Sequence, residues 1–546
     1  MATAGSTSAA ATPAMEAATG LLTAIAAAGG TVSPALTVAP SSTAPGRAVL
    51  VASSAIGGAG RTPLLQLPLS LVWTPESAAA TLPPLPDSPL LDDYALLSLA
   101  LIHARANPAH VGPVAASYVA GLPDAAALDV PLLWADTELD RLSGSALRVA
   151  AARMKAEVAA EWVALDAKVL APARDAFPAD VYTADAYAWS AAVVVERGLT
   201  LPDYPLVLAP AVDLATGVVP AGNDGGSGGG GGGTAAPGMV ELVGTGLFGR
   251  NKVLQLSAPV DGVPTGATVA GVSAAAATEG RSFRDYFLET GAVVATAPAT
   301  DADGGGVVGL SFGLSPDDNY YDDKLDILET YAYPEEAADG DEDEDGEVRV
   351  FPLAAAPAGA DDDDDKAYDS EADADDGSGG LTSWTRESWT PPPDLMPFLR
   401  LVMLNGGDVF LLEAVFRREV WGFMSYPVSE QNEAAAIDAI LAACAAALDG
   451  YTAPSLSADD EDGGAGVDGP TTARRKALAR RLVGVETAAL RACVAYFTRE
   501  RATLDSLEYY QERRLRELNL LRPVDPSEIV DSESGGRAAA AFDEYY

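Results

Sequence analysis

Residues 133–145 read Leu-Trp-Ala-Asp-Thr-Glu-Leu-Asp-Arg-Leu-Ser-Gly-Ser, and the chain changes character around them. Upstream, helical periodicity runs from Asp92 through Ala106, with Pro108 just beyond its end. Downstream it returns around Leu142–Leu170 and again at Ala184–Val195, with apolar residues three and four apart. Before this helical region the pattern is that of short strands joined by glycine turns. Val49-Leu50-Val51-Ala52 is broken by Gly57-Gly58 and Gly60, then followed by Leu64-Leu65-Gln66-Leu67-Pro68-Leu69 and Leu71-Val72-Trp73. Strand-like pieces resume at Met239–Phe248 and Lys252–Leu256. The first half is therefore α+β, and residues 1–19, small and polar, read as an untethered tail.

From Pro393 the pattern is helical. Phe398, Leu401, Val402 and Leu404 start one amphipathic run, and Val409–Phe416 continues it. Ser429 is the expected N-cap of a helix bearing Ile437, Ile440, Leu441, Cys444 and Leu448, which Gly450 closes. Arg474–Val485 and Leu490–Arg501 form another stretch. Leu504, Leu507, Tyr510, Leu515 and Leu518 are expected on one face of the last, with Glu512 and Arg516 paired.

Three low-complexity breaks interrupt the chain. Gly225–Gly233 reads as a flexible insertion within 221–236. Glu335–Asp376 holds 19 acids against Arg349 and Lys366, too few apolar groups to offset ordering entropy, so 335–380 is expected to be largely disordered. Ser455–Pro470 is acidic and glycine-rich as well.

Charge removes whole classes of partner. The 546 residues contain 34 Lys+Arg against 78 Asp+Glu, a net charge of −44. Such a surface repels a phosphate backbone and an anionic membrane, so neither nucleic acid nor membrane is an expected partner. No apolar stretch is long enough to span a bilayer, and a soluble chain is expected. Cys444 and Cys493 sit in helical patterns and read as buried thiols. His103 and His110 lie without a cysteine cluster, so no zinc site is expected.

Specific stretches go further. Residues 133–145 resemble the tryptophan–acidic–leucine–glycine signature in the helical insert of SET-domain methyltransferases, of the Rubisco large-subunit and fructose-bisphosphate aldolase lysine methyltransferase type; Ala184–Ser190 fits the same order. Asp322–Glu329, Met396–Val402, Phe410–Arg417, Trp421-Gly422, Pro427-Val428-Ser429 and Asn432-Glu433 follow in family order. Leu507–Leu515 (Leu-Glu-Tyr-Tyr-Gln-Glu-Arg-Arg-Leu) closes it most specifically.

The resemblance implies a SET domain over 20–300 with a helical insert at about 80–182. It further implies a connector at 301–334, an all-helical Rubisco LSMT-like substrate-binding domain at 381–522, and a tail at 523–546. It also implies S-adenosylmethionine as cofactor, a protein lysine as substrate (in the Rubisco large subunit or aldolase), and the chloroplast stroma as location. The first basic residue, Arg47, comes late for a transit peptide, so cytoplasm is the other expectation.

Four family parts map onto this sequence. The glycine-bounded turn corresponds to Gly46-Arg47-Ala48, and the core-helix arginine to Arg197, preceded by Glu196 where the family has serine. The asparagine–histidine motif aligns with Pro210–Gly217, keeping Asp213 but placing Thr216 and Gly217 at the asparagine and histidine. Thr290 falls on the tyrosine whose hydroxyl faces the methyl group. Tyr331 is set aside for that role because Leu310–Glu329 already matches the segment after the core, and Tyr286, displaced by four residues, reads as packed in a helix. Two readings follow: a working protein-lysine methyltransferase, or a catalytically inactive homologue acting as a protein-binding module. The basic cluster Arg474, Arg475, Lys476, Arg480 and Arg481 reads as a solvated face or a dock for an acidic partner.

Overall fold

The computed structural model describes residues 13–41, 47–57, 62–201, 203–215, 239–245, 251–258, 263, 265, 267–269, 307–332, 348–353, 389–413, 415–451 and 470–517. Two units divide the chain: residues 1–308, 352–373 and 447–490 in the first, and 309–351, 374–446 and 491–546 in the second.

In the first unit, structure begins earlier than the expected tail allows. Helix α1 (Pro13–Ala27) starts with a proline, whose missing N–H would be unpaired there anyway, and buries Ala18, Leu21 and Ile25. Strand β1 (Thr31–Val32) follows, then β2 (Leu36–Pro40) and β3 (Ala48–Ala52), which pair antiparallel from Leu36↔Ala52 to Pro40↔Ala48. On its other side β3 is held by Ala52 N–H to Ala267 O at 2.9 Å and Val269 N–H to Leu50 O at 2.9 Å. Strand β4 (Pro63–Pro68) hides Leu64, Leu65 and Leu67 almost completely. The expected strand at Leu71–Trp73 is instead a 3₁₀ turn, Leu69–Leu71, and then a single bridge from Trp73 to Leu208.

The helical insert is built on side-chain caps. Helix α2 (Pro75–Thr81) has a reciprocal box in which Thr74 accepts from Ser77 N and Ser77 accepts from Thr74 N. Asp92 caps α3 (Asp93–Ala106), accepting from Ala95 N at 2.8 Å. Helices α4 (Pro113–Gly121), α5 (Asp136–Leu139) and α6 (Ala146–Leu165) complete it, and Thr183 caps α7 (Ala184–Arg197). Strands β5 (Leu199–Leu201) and β6 (Tyr204–Val207) then form a hairpin. Strands β7 (Met239–Thr245) and β8 (Asn251–Ser257) close a four-stranded antiparallel sheet in the order β1-β4-β8-β7.

One glycine of the 133–145 stretch has a geometric reason. Gly144 has φ +92°, and a Cβ there would lie 2.6 Å from the Tyr451 nitrogen and 2.7 Å from the Gly450 carbonyl carbon. Alanine therefore meets both left-handed strain and immovable backbone. Gly144→Ala is expected to destabilise the first unit by about 2–4 kcal/mol, read as a lowered urea midpoint. An unchanged midpoint would show that the backbone approach is looser than this.

In the second unit, β9 (Val308–Gly313) is followed by α8 (Tyr321–Ile327) and β10 (Val348–Leu353), which pairs with β9. Strand β10 stands inside the acidic stretch expected to lack structure. Phe351 packs on Phe312 and Phe398, which is burial enough to hold a short strand between charged runs. Helices α9 (Leu395–Val402), α10 (Val420–Phe423) and α11 (Glu430–Gly450) follow, with Ser429 accepting from Asn432 N at 3.1 Å as the expected cap. The stretch expected over Arg474–Val485 and Leu490–Arg501 is one helix, α12 (Pro470–Ala502), whose residues 470–490 belong to the first unit. The last run is not continuous: a 3₁₀ turn at Leu504–Ser506 precedes α13 (Tyr510–Glu517), so Arg516 pairs with Glu508 at 2.8 Å rather than with Glu512.

Two buried polar anchors fix this unit. Arg400 forks onto Glu433 through two bonds of 2.7 Å and donates to Met424 O at 2.9 Å. Lys324 of α8 has 0% exposure; its Nζ donates to Asp318 at 2.7 Å and to Val402 O at 2.8 Å. Burial lowers its pKa, opposed by Asp318. Cys444 and Cys493 are buried free thiols, as expected.

Candidate functional site

Three of the expected cofactor residues meet in the first unit. Arg197 is the last residue of α7, whose buried face (Tyr187, Ser190, Val193 and Val194) carries it into the core. Asp213 lies in a 3₁₀ turn, Val212–Ala215, entered through Ala211 at φ +69°. A left-handed alanine costs about 1–2 kcal/mol, and a fully buried one is held by its packing; it aims the turn and Asp213 toward α7. Arg47 approaches at the entrance to β3, where Ala48 pairs with Pro40.

The ion pairs form a chain. Arg197 Nη1 donates to Asp213 Oδ2 in a close contact, and its Nε faces Glu196 Oε2 at 3.3 Å. Glu196 Oε1 in turn accepts from Arg47 Nη1 at 2.7 Å. Arg47 also donates to the Ala127 carbonyl, through Nη2 at 3.0 Å and Nε at 3.3 Å. The Arg197, Asp213 and Glu196 side chains are 9%, 2% and 8% exposed, so these charges interact with little water between them. Burial alone would lower the Arg197 pKa, but Asp213 and then Glu196 outweigh it and keep the guanidinium charged.

Tyr118 of α4 is a further member that the sequence pattern did not single out. Its phenol is buried beside Asp213, Arg197 and Glu196. Burial, and then the Asp213 charge, raise its pKa well above the ordinary tyrosine range, so it stays a neutral hydroxyl. Its ring meets Trp73 edge-on with centroids 6.3 Å apart.

Gly46, Thr216, Gly217, Thr290 and Tyr286 lie outside the described residues; Tyr331 belongs to the second unit. Glu196 is the link between Arg47 and Arg197. The basic cluster proves to be partly internal: Arg475 is 6% exposed and bonded to Glu138 at 2.7 Å, and Arg474 pairs with Asp129 at 2.7 Å. Glu138, which burial would raise, is held below its usual pKa by the Ala135 N–H and Arg475. The expected solvated face is therefore corrected at these two positions.

The remaining chemistry is bland. His103 Nδ1 lies 2.8 Å from the Tyr182 hydroxyl, and among the described residues no group of three His, Cys, Asp or Glu side chains gathers to hold a metal ion. No single helix among them is long and apolar enough to cross a membrane. A shallow hollow of about 410 Å³, lined by Leu82, Pro84, Leu85 and Leu91, shares no residue with the charge cluster.

Residues 315–504 match the family described as Rubisco LSMT substrate-binding. The ribulose-1,5 bisphosphate carboxylase/oxygenase large subunit N-methyltransferase of Pisum sativum is 27% identical over 395 residues, 72% of this chain and 65% of that protein. The match thus spans slightly less than two thirds of the pea protein. The fructose-bisphosphate aldolase lysine N-methyltransferase of Arabidopsis thaliana is 26% identical over 394 residues, 72% of this chain and 67% of its own. Two solved structures share the fold. The SET domain of LSMT bound to lysine and AdoHcy covers 95% of this chain and 99% of its own, at TM-score 0.62 and 24% identity. Rubisco LSMT bound to AdoMet covers 94% and 99%, at TM-score 0.60 and 23% identity.

Proposed function

We propose that this chain, which joins an LSMT-type SET fold to a Rubisco LSMT substrate-binding domain, binds S-adenosylmethionine at the Arg197–Asp213 pair and modifies a lysine of a protein substrate. The observation behind this reading is that Arg197 and Asp213, far apart in sequence and both assigned to the cofactor by resemblance, are paired in the core. Their chemistry suits the amino-acid part of that cofactor. The Arg197 Nε has an ion-pair contact with Glu196 Oε2 at 3.3 Å but no well-aligned hydrogen bond among the described residues, so it offers a donor to a carboxylate, and Asp213 offers negative charge to an ammonium.

When bound, S-adenosylmethionine supplies a methyl group activated by a sulfonium. The chain's own residues do the positioning. Asp213 restricts the Arg197 rotamer, Glu196 balances its second side, and Arg47 ties Glu196 to the start of β3. Two cations then face two anions, so the cluster neither repels a zwitterion nor draws it by net charge. A substrate lysine, with an ordinary pKa near 10.4, must be neutral to react, and apolar surroundings favour that form. The protein substrate belongs to the class methylated by the relatives, and the chloroplast is the location their names suggest.

A second reading, an inactive protein-binding homologue, is supported by the sequence. Thr216 and Gly217 offer one hydroxyl and no side chain where the family has an amide and an imidazole, and Thr290 is too short to replace a phenol. Calorimetric titration of the full chain with S-adenosylmethionine tests the first reading: saturable binding with one site is expected, absent in Arg197→Met. Wild-type protein that shows no binding overturns it. Binding without transfer of labelled methyl to any stromal lysine protein assigns the second.

A further inference from the structure

Residues 123–129 of the first unit, Pro-Asp-Ala-Ala-Ala-Leu-Asp, present few side chains with which to hold anything, yet their carbonyls are engaged from both sides. Trp189 Nε1 donates to Pro123 O at 2.9 Å, and Trp134 Nε1 to Asp129 O at 2.8 Å. From the start of α12, Thr471 and Arg474 reach Ala126 O at 2.9 and 3.1 Å, and Arg475 Nη2 reaches Leu128 O at 3.0 Å. Between those last two carbonyls lies Ala127 O, which accepts from Arg47.

We propose that Arg475 is a positioning residue for the buried Arg47–Glu196–Arg197–Asp213 cluster, acting through the carbonyls of residues 123–129. The Leu128 N–H shares the peptide plane of the Ala127 carbonyl and donates to Ala125 O at 3.4 Å. Arg475 Nη2 reaches Leu128 O at 3.0 Å and Ala125 O at 3.5 Å, so both sides of Leu128 are anchored and little rotation is left to the Ala127 carbonyl. Among the described residues, that carbonyl takes two of the three hydrogen bonds that Arg47 donates, the third going to Glu196. Arg475 suits the task because a guanidinium is a planar fork with five donors. It holds Leu133 O at 3.1 Å, Leu128 O and Glu138 at once, which an ammonium on a flexible stem does not do. Glu138 in turn accepts from Ala135 N at 2.8 Å, so the fork is braced against the same 133–145 stretch. A residue near the C-terminal end of the chain thus sets the acceptor on which a cofactor-turn arginine rests.

This coupling rests on the proposed cofactor reading only for its ligand readout. The test uses the full-length chain as wild type, Arg475→Gln, Arg475→Lys, and Arg475→Gln with Glu138→Gln. Leu482→Ala, a buried apolar position of α12, serves as a control that destabilises without touching the carbonyls. Hydrogen exchange is followed by mass spectrometry over residues 47–52 and 194–198, and S-adenosylhomocysteine affinity by calorimetry.

Arg475→Gln is expected to speed exchange at 47–52 and to weaken affinity, each by about 2- to 30-fold, the range of a coupling carried between sites. Arg475→Lys shifts both in the same direction by less. Adding Glu138→Gln removes the stranded carboxylate and recovers stability, while exchange at 47–52 stays fast. Leu482→Ala leaves both readouts at the wild-type value under folded conditions. Exchange at 47–52 that is the same in Arg475→Gln as in wild type, or that recovers with stability in the double variant, overturns the proposal. If wild-type protein binds no S-adenosylhomocysteine, the cofactor reading fails on its own and the exchange comparison still decides this one.

Discussion

Replacing Arg197 with methionine is expected to lower stability by about 3–5 kcal/mol, the usual cost of stranding a buried carboxylate. Glu196 keeps its bond to Arg47, but Asp213, 2% exposed at the side chain, loses the guanidinium that balances it. The loss should therefore be asymmetric. Arg197→Met with Asp213→Leu replaces the pair by apolar groups and is expected to recover most of the loss, whereas Arg197→Met with Glu196→Gln recovers little. Urea denaturation of the three variants reads this directly. A single Arg197→Met variant with the wild-type midpoint would mean that water reaches Asp213, and the buried cluster described here would be wrong.

The second large effect depends on pH. Glu486 is 2% exposed, accepting from Ser145 Oγ at 2.7 Å and from the Tyr451 hydroxyl at 3.1 Å. Burial pushes its pKa up to about 7 from an ordinary 4.5, with the two hydroxyls opposing that rise. The folded state thus binds this proton more tightly than the unfolded chain does. The associated stability is fully present below about pH 4.5, is lost as pH rises, and is gone once pH passes about 7. With one pKa unit worth about 1.4 kcal/mol, the total swing is roughly 3 kcal/mol. Wild-type protein is expected to lose this amount relative to Glu486→Gln between pH 4.5 and 8, because glutamine keeps polar contacts without titrating. Parallel pH profiles for the two proteins would place the proton elsewhere.

How much of this was legible in the sequence depends on the range of the interaction. Local physics was readable: Ser429 caps α11 because a hydroxyl just before an apolar period accepts a free N–H, and α3 and α7 stand where periodicity put them. Averages over long windows hid local exceptions. The 19 acids of 335–376 concealed β10, where Phe351 and Leu353 supply the buried anchors. The buried charge cluster was half visible, since Arg47, Arg197 and Asp213 came from motif positions. Tyr118 and Arg475 were not, because nothing at three- or four-residue spacing reports a partner far away in the chain. Arg475 lies 337 residues from Glu138, and on sequence alone five cations in eight positions look like a wet surface. The residues on which retained or lost methyl transfer turns, Thr216, Gly217 and Thr290, fall outside the described part, so the sequence is the sole witness to them.

The internal amine of α8 has a meaning for a protein of this kind. Lys324 spends its protons on an aspartate and a main-chain oxygen, with no surface left to a reagent or a neighbouring molecule. A chain whose proposed trade is marking lysines thus keeps one of its own out of circulation, and any mark found on it would date from before folding or from a moment when the second unit had come apart.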